Sequence, residues 1–154
     1  EKIPHVQRIR IHTRFLIGIP ERITTSFLKK LSQRKKTLFI VIHTNHPKEI
    51  DEEVKKAIQK LLHLGIPILS QTVLLKGVND NFATLKELFT SLINTGVIPY
   101  YLHHLDFVKG AHSFYVSPVK GKKLILKLRE SLPGYGVPRY VQEIPHKKGK
   151  TLIL

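Results

Sequence analysis

Apolar residues fall along this chain in short runs that alternate with longer, spaced sets. Arg8-Ile9-Arg10-Ile11-His12 alternates with period two, as a half-buried strand does. Leu38-Phe39-Ile40-Val41-Ile42 is unbroken and β-branched, the pattern of a strand buried on both faces. Together with two similar runs and a C-terminal one, this predicts strands at residues 8–12, 38–43, 66–71, 98–103 and 139–143. Helices are predicted between them, at about 24–34, 49–64, 83–95 and 119–131. The second of these carries Ile50, Val54, Ala57, Ile58, Leu61 and Leu62 near helical spacing. Pro47 and the acids Glu49, Asp51 and Glu52 mark its start, where the helix dipole is positive, and Gly65 marks its stop. The third helix ends at Gly96 in the same way, and the fourth ends before Pro133-Gly134.

Two helices share an exit, Leu64-Gly65-Ile66-Pro67-Ile68 and Thr95-Gly96-Val97-Ile98-Pro99. Strand–helix units of about thirty residues in series imply parallel strands with right-handed helical crossovers. The fold class is therefore α/β, either an open doubly wound sheet or part of a (β/α) barrel. No Gly-x-Gly-x-x-Gly run supports a dinucleotide fold. Nothing in residues 1–154 reads as a linker, so one unit is expected. Five strands do not close a barrel, and open edges call for a missing N-terminal half or for self-association.

Parallel α/β folds carry their chemistry at the C-terminal ends of strands. Polar residues collect there: His12-Thr13-Arg14, His43-Thr44-Asn45-His46, Ser70-Gln71-Thr72, His103-His104-Leu105-Asp106, and Glu143. Pointing inward together they form a mixed pocket, and two carboxylates in a basic chain suit a cationic ligand group. Each residue also has an ordinary reading. His43 and His46 would ligate a metal only on a helix, and Asn45 and Pro47 argue for a turn, so no metal site is expected. His103 and His104 are adjacent and face opposite ways on a strand. Asp106 reads by itself as a cap, and Asn79-Asp80-Asn81 reads as a turn and cap before the third helix. Lys150 is one lysine of a basic tail, and spacing alone does not single it out. No nucleophile elbow is present.

Composition narrows the classes further. With 154 residues, 42% hydrophobic and 24% charged, the chain is one globular domain in size and not a disordered segment. No apolar run is long enough to cross a bilayer and no secretion signal opens the chain, so a cytoplasmic, membrane-free protein is expected. The absence of Cys excludes disulfides, thiol nucleophiles and a cysteine-ligated iron–sulfur cluster held by this chain alone. The absence of Met, even at position 1, leads to the expectation of an internal piece of something longer. Lys plus Arg is 26 against 11 Asp plus Glu, a net +15 that attracts polyanions. These charges are scattered over helix faces and tails, as at Lys55-Lys56 and Lys122-Lys123, and are not interleaved with strand aromatics, which argues against nucleic acid as the partner.

Several segments resemble the lysine 2,3-aminomutase family. They are Ile9-Arg10-Ile11-His12-Thr13-Arg14, Pro20-Glu21-Arg22-Ile23-Thr24, His43-Thr44-Asn45-His46-Pro47-Lys48-Glu49-Ile50 and, above all, the run from Ser70-Gln71-Thr72 to Gly77-Val78-Asn79-Asp80. Pro99-Tyr100-Tyr101-Leu102-His103-His104-Leu105-Asp106, Gly134-Tyr135, Val137-Pro138 and Lys150-Thr151 continue the match in order over essentially the whole chain. The resemblance implies a radical S-adenosylmethionine enzyme that also uses pyridoxal phosphate, with this chain as the C-terminal half of a partial (β/α)6 barrel. It implies a [4Fe–4S] cluster whose three-cysteine motif lies in the N-terminal half, so the fragment alone is expected to be inactive. Lys150 stands where the family has the lysine that forms the internal aldimine with pyridoxal phosphate. Asp106 stands where a carboxylate grips the substrate lysine's ammonium, and Glu143 stands where free-lysine members have an Asp with the same task. His43 and Gln71 match positions that contact S-adenosylmethionine.

Two departures bear on the branch. Free-lysine members carry a glycine-rich run where this chain has His146-Lys147-Lys148-Gly149, and they carry Asp in place of Glu143. Both changes, with Tyr101-Leu102-His103-His104-Leu105-Asp106, look more like the branch that makes (R)-β-lysine for elongation factor P. That factor or its lysylation machinery is then the expected partner. The alternatives are a free L-lysine 2,3-aminomutase of metabolism, a basic nucleic-acid-binding module and a non-catalytic remnant.

Overall fold

The computed structural model describes residues 3–106 and 108–154. One six-stranded sheet runs in chain order: β1 (Arg8–Thr13), β2 (Thr37–His43), β3 (Ile68–Val73), β4 (Ile98–His103), β5 (Arg139–Gln142) and β6 (Thr151–Leu152). The first five strands are parallel, and β6 pairs antiparallel with β5. The connections carry α1 (Phe15–Gly18), α2 (Thr25–Ser32), α3 (Glu52–Leu62), α4 (Phe82–Asn94) and α5 (Pro118–Ser131). A strand order that never reverses, with right-handed crossovers, puts every helix on one face of the sheet. The doubly wound alternative needs a reversal and is therefore set aside; the architecture is that of a partial (β/α) barrel.

The core follows from that placement. Ile40, Ile42, Ile68, Leu102 and Tyr140, at alternate strand positions, join Ala57, Ile58 and Leu61 of α3, Leu88, Phe89 and Leu92 of α4, and Ile125 and Leu128 of α5. The residues between them in sequence point to the other face. Parallel register there lines up His12 with Val41, His43 with Gln71, Val73 with His103, and Tyr101 with Arg139. One face of the sheet is thus an apolar core, and the other carries rings and charges. Among the described residues no helix is long and apolar enough to cross a membrane.

The helix boundaries have local causes. Asp51 caps α3 by accepting from Val54 N–H at 2.9 Å, and Asn81 caps α4 from Thr84 N–H at 3.0 Å. Gly96 leaves α4 at φ 87°, where an added Cβ would lie 2.8 Å from Leu62 Cδ1. Several elements differ from the sequence reading. The second helix starts at Glu52 rather than 49, because Pro47–Glu49 forms a 3-10 turn and Glu49 is engaged elsewhere. The third strand is Ile68–Val73, two residues later than expected, since Ile66 N–H still bonds back to Leu61 in the helix exit. The fifth strand ends at Gln142, one residue before Glu143. Neither α1 nor β6 was expected, as four and two residues are too few to show a period.

Gly121 shows how tightly α5 seats on the sheet. It is buried, and a Cβ on it would enter the ring of Tyr140, which is itself fully buried and hydrogen-bonded to His104 Nδ1 at 2.7 Å. Glycine to alanine inside a helix usually gains about 1 kcal/mol. Here the ring is pinned at both ends, and overpacking of this kind costs about 1–3 kcal/mol. Gly121→Ala is expected to lower stability in urea unfolding; a gain in stability would show that Tyr140 moves aside freely.

A candidate active site at the strand ends

The loops beyond β2 and β3 are laced together before any site is formed. Glu49 Oε2 accepts from Thr44 Oγ1 at 2.7 Å and from Asn45 N–H at 2.9 Å, while its other oxygen pairs with Arg14 at 3.1 Å. Asn45 Oδ1 accepts from Val73 N–H at 2.9 Å. Asn79, fully buried, donates to the carbonyls of Asn45 and Val73 at 2.8 Å each and accepts from Leu75 N–H at 2.8 Å. A buried amide with three partners fixes both loops, because any unmade bond there would be costly. Asn79 is thus a latch rather than a simple turn residue. Asn81 is the cap the sequence predicts, and Asp80 accepts from Gly77 N–H and pairs with Lys120 at 2.5 Å.

Beside this lacing lies a cleft of about 360 Å³, lined by Arg14, His43, Asn45, Gln71, His103, Asp106, Glu143 and Lys150 among others. All the sequence-predicted site residues, Lys150, Asp106, Glu143, His43 and Gln71, therefore meet in one place. The Glu143–Lys150 contact has a simple origin. The β5–β6 ladder pairs Val141 with Leu152 and Gln142 with Thr151, so the next opposed positions are 143 and 150. Their side chains form an ion pair, and Lys150 Nζ also sits 5.7 Å from the centre of the Tyr101 ring. Asp106 makes no ion pair among the described residues, and it adjoins Glu143 again in a neighbouring hollow of about 400 Å³. A larger hollow of about 720 Å³ lies on the helix side around α4, lined by Phe82, Lys86 and Glu87 among others, with no convergent set of reactive groups.

Imidazoles crowd the same face of the sheet. His12 and His43 pack edge to face with ring centres 5.9 Å apart, and His12 Nδ1 lies 3.3 Å from Gln71 Oε1. His43 and His103 each bury Nε2 with no partner in the protein. Burial lowers the pKa of His43 below its ordinary value, helped by His12, Arg14 and Lys150. His103 is lowered to about 4, first by burial and then by Lys150. His104 turns to the core face, as strand alternation requires, and bonds Tyr140. Burial pushes the Tyr140 phenol up to about 12. Sequence reasoning missed Tyr101, although its place two residues before His103 on one strand puts both on the same face. It also missed the latch made by Asn79, for which no local signal exists.

The depressed histidines give folding a pH dependence of definite sign. The unfolded chain takes up a proton near pH 6.5 that folded His103 refuses until about 4. Stability is thus fully present above 6.5 and falls as the pH drops through that window, with His43 and His104 adding in the same direction. His103→Gln is expected to make the fall shallower in urea unfolding across this range. An unchanged slope would mean that the imidazole titrates as it does in water.

No family model matches the chain. Individual proteins do. The chain is 45% identical to the L-lysine 2,3-aminomutase of Haemophilus influenzae, over 99% of its own length and 45% of that protein's. It is 42% identical to that of Escherichia coli, over 98% and 44%, and 38% identical to that of Clostridium subterminale, over 99% and 36%. The chain thus spans less than half the length of these relatives. Among solved structures, its fold is like that of a radical SAM methyltransferase from Sphaerobacter thermophilus, with TM-score 0.61 and 18% identity over 86% of this chain and 40% of that one. It is also like a domain of a pyruvate-formate lyase-activating enzyme from Bacteroides vulgatus, with TM-score 0.56 and 14% identity over 88% and 80%. These two likenesses concern the fold alone. Matched from end to end to the C-terminal half of its curated relatives, the chain belongs to the lysine 2,3-aminomutase family.

Proposed function

We propose that this chain is the lysine-binding, pyridoxal phosphate-binding half of a radical S-adenosylmethionine aminomutase that isomerises L-lysine to β-lysine. The observation that carries the reading is the convergence of Lys150, Glu143 and Asp106 in one cleft at the strand ends. The donor set fits pyridoxal phosphate: Lys150 offers a primary amine, and the unpartnered Nε2 atom of His103 offers a neutral ring nitrogen to a polar ligand. When bound, that group supplies a conjugated ring able to stabilise an unpaired electron. The residues' own work is to bind and orient. Glu143 and Asp106 would hold the ammonium of the substrate side chain, His43 and Gln71 would contact S-adenosylmethionine, and the laced loops keep the site's backbone in place.

The iron–sulfur cluster is a different case. Thiolate ligands are required, and this chain has no cysteine, so the cluster belongs to another segment and the chain alone is inactive. The outer edge of β1 is unpaired among the described strands and is where further barrel strands would add. We favour the elongation factor P branch, which places the reaction in the cytoplasm. Glu143 is one methylene longer than Asp, and His146-Lys147-Lys148-Gly149 replaces a glycine-rich run. A longer acid moves the ammonium by about one C–C bond, roughly 1.5 Å, enough to alter how the reacting carbon is presented.

Two measurements test the reading. Borohydride reduction in the presence of pyridoxal phosphate is expected to fix a label on Lys150, found by peptide mass mapping, and Lys150→Ala should abolish it. A label spread over surface lysines would sink the proposal. With the full-length protein, chiral analysis is expected to give (R)-β-lysine; fast turnover of free L-lysine to the (S) product would favour the metabolic aminomutase instead.

A further inference from the structure

The cation that Glu143 holds is the chain's own. The antiparallel register of β5 and β6 places Lys150 opposite Glu143, and the ammonium lies over Tyr101 at 5.7 Å from the ring centre. A carboxylate beside an aromatic face is what recognises an alkylammonium. The lysine side chain is itself a butylammonium, so the chain displays the ligand class its subsite accepts. Asp106 lines the same cleft and receives no ammonium from the described residues. Arg14 already stands at the wall, so a second cation beside Lys150 would add like charge against like charge.

We propose that Lys150 is the resident occupant of the cleft's cation subsite, and that the ammonium of a primary alkylamine ligand enters between Glu143 and Tyr101 only when Lys150 leaves. This rests on the reading that Glu143 serves a ligand ammonium. It adds an order of events: whatever draws the nitrogen of Lys150 away from Glu143 vacates the place the ligand's cation needs. The two events are then a single exchange at one carboxylate. The blockade is mild. The Glu143 side chain is 56% exposed, and an ion pair of that kind contributes about 0.2–1 kcal/mol. Self-occupancy of that strength weakens an incoming ammonium by roughly two- to sixfold.

n-Butylammonium chloride is the probe, with binding followed by chemical-shift titration of the folded chain. Lys150→Ala is expected to bind it roughly two- to sixfold more tightly than the unaltered chain. Lys150→Ala combined with Glu143→Gln should lose that gain. Lys148→Ala removes one positive charge from the same segment without emptying the subsite, and it should leave the affinity unchanged. No gain in Lys150→Ala, or an equal gain in Lys148→Ala, overturns the proposal. The borohydride label on Lys150 does not depend on this exchange, so failure of the functional reading appears there and failure of the subsite appears here.

Discussion

Five parallel strands laid down in chain order leave each crossover only one side of the sheet to use, and the rest of the molecule follows from that constraint. All the helical apolar stripes collect on one face, and alternate strand residues meet them in a single core. The intervening residues are turned the other way, and in parallel register they form rows across the strands. The strands also end along a common edge, so the residues that leave them last become neighbours. His43, Gln71, His103 and Glu143 lie far apart in the chain and side by side in the cleft for that reason.

The electrostatics of the cleft follow from its position between core and solvent. In a chain of net charge +15, the imidazoles of His43 and His103 beside Arg14 and Lys150 would be repelled if charged. Burial keeps His43 and His103 neutral, and the nearby cations push in the same direction. The carboxylates are left to set the local field. The hydrogen bond from Lys150 lowers the pKa of Glu143 below its ordinary value. The cleft thus combines neutral ring nitrogens with carboxylate oxygens.

Rigidity is supplied from outside the cleft. Glu49 reads as a helix-start acid in sequence, yet it ties β2's exit loop to Arg14, and Asn79 joins that loop to the end of β3. Neither residue lines the cleft. Multiply bonded side chains of this kind, half-buried in Glu49 and fully buried in Asn79, hold a site's backbone because each alternative arrangement leaves a polar group unpaired. Tyr140 does the same from the core, seated against Gly121 and bonded to His104.

The sequence by itself determined the parallel α/β order, four of the five helices and five of the six strands to within a few residues, because periodicity and glycine exits are local signals. It also placed the polar strand ends, Asp106 and Glu143 among them, and the family resemblance picked out Lys150, which spacing left anonymous. What only the tertiary structure decided was which of these groups touch. The two residues of β6 carry no pattern, yet their antiparallel pairing brings Lys150 back onto Glu143. The choice between His103 and His104 depended on the face on which the helices lie. The roles of Glu49 and Asn79 depended on partners some thirty-five residues away in the chain. Contacts of that range are set by register and crossover, and no window of neighbouring residues contains them.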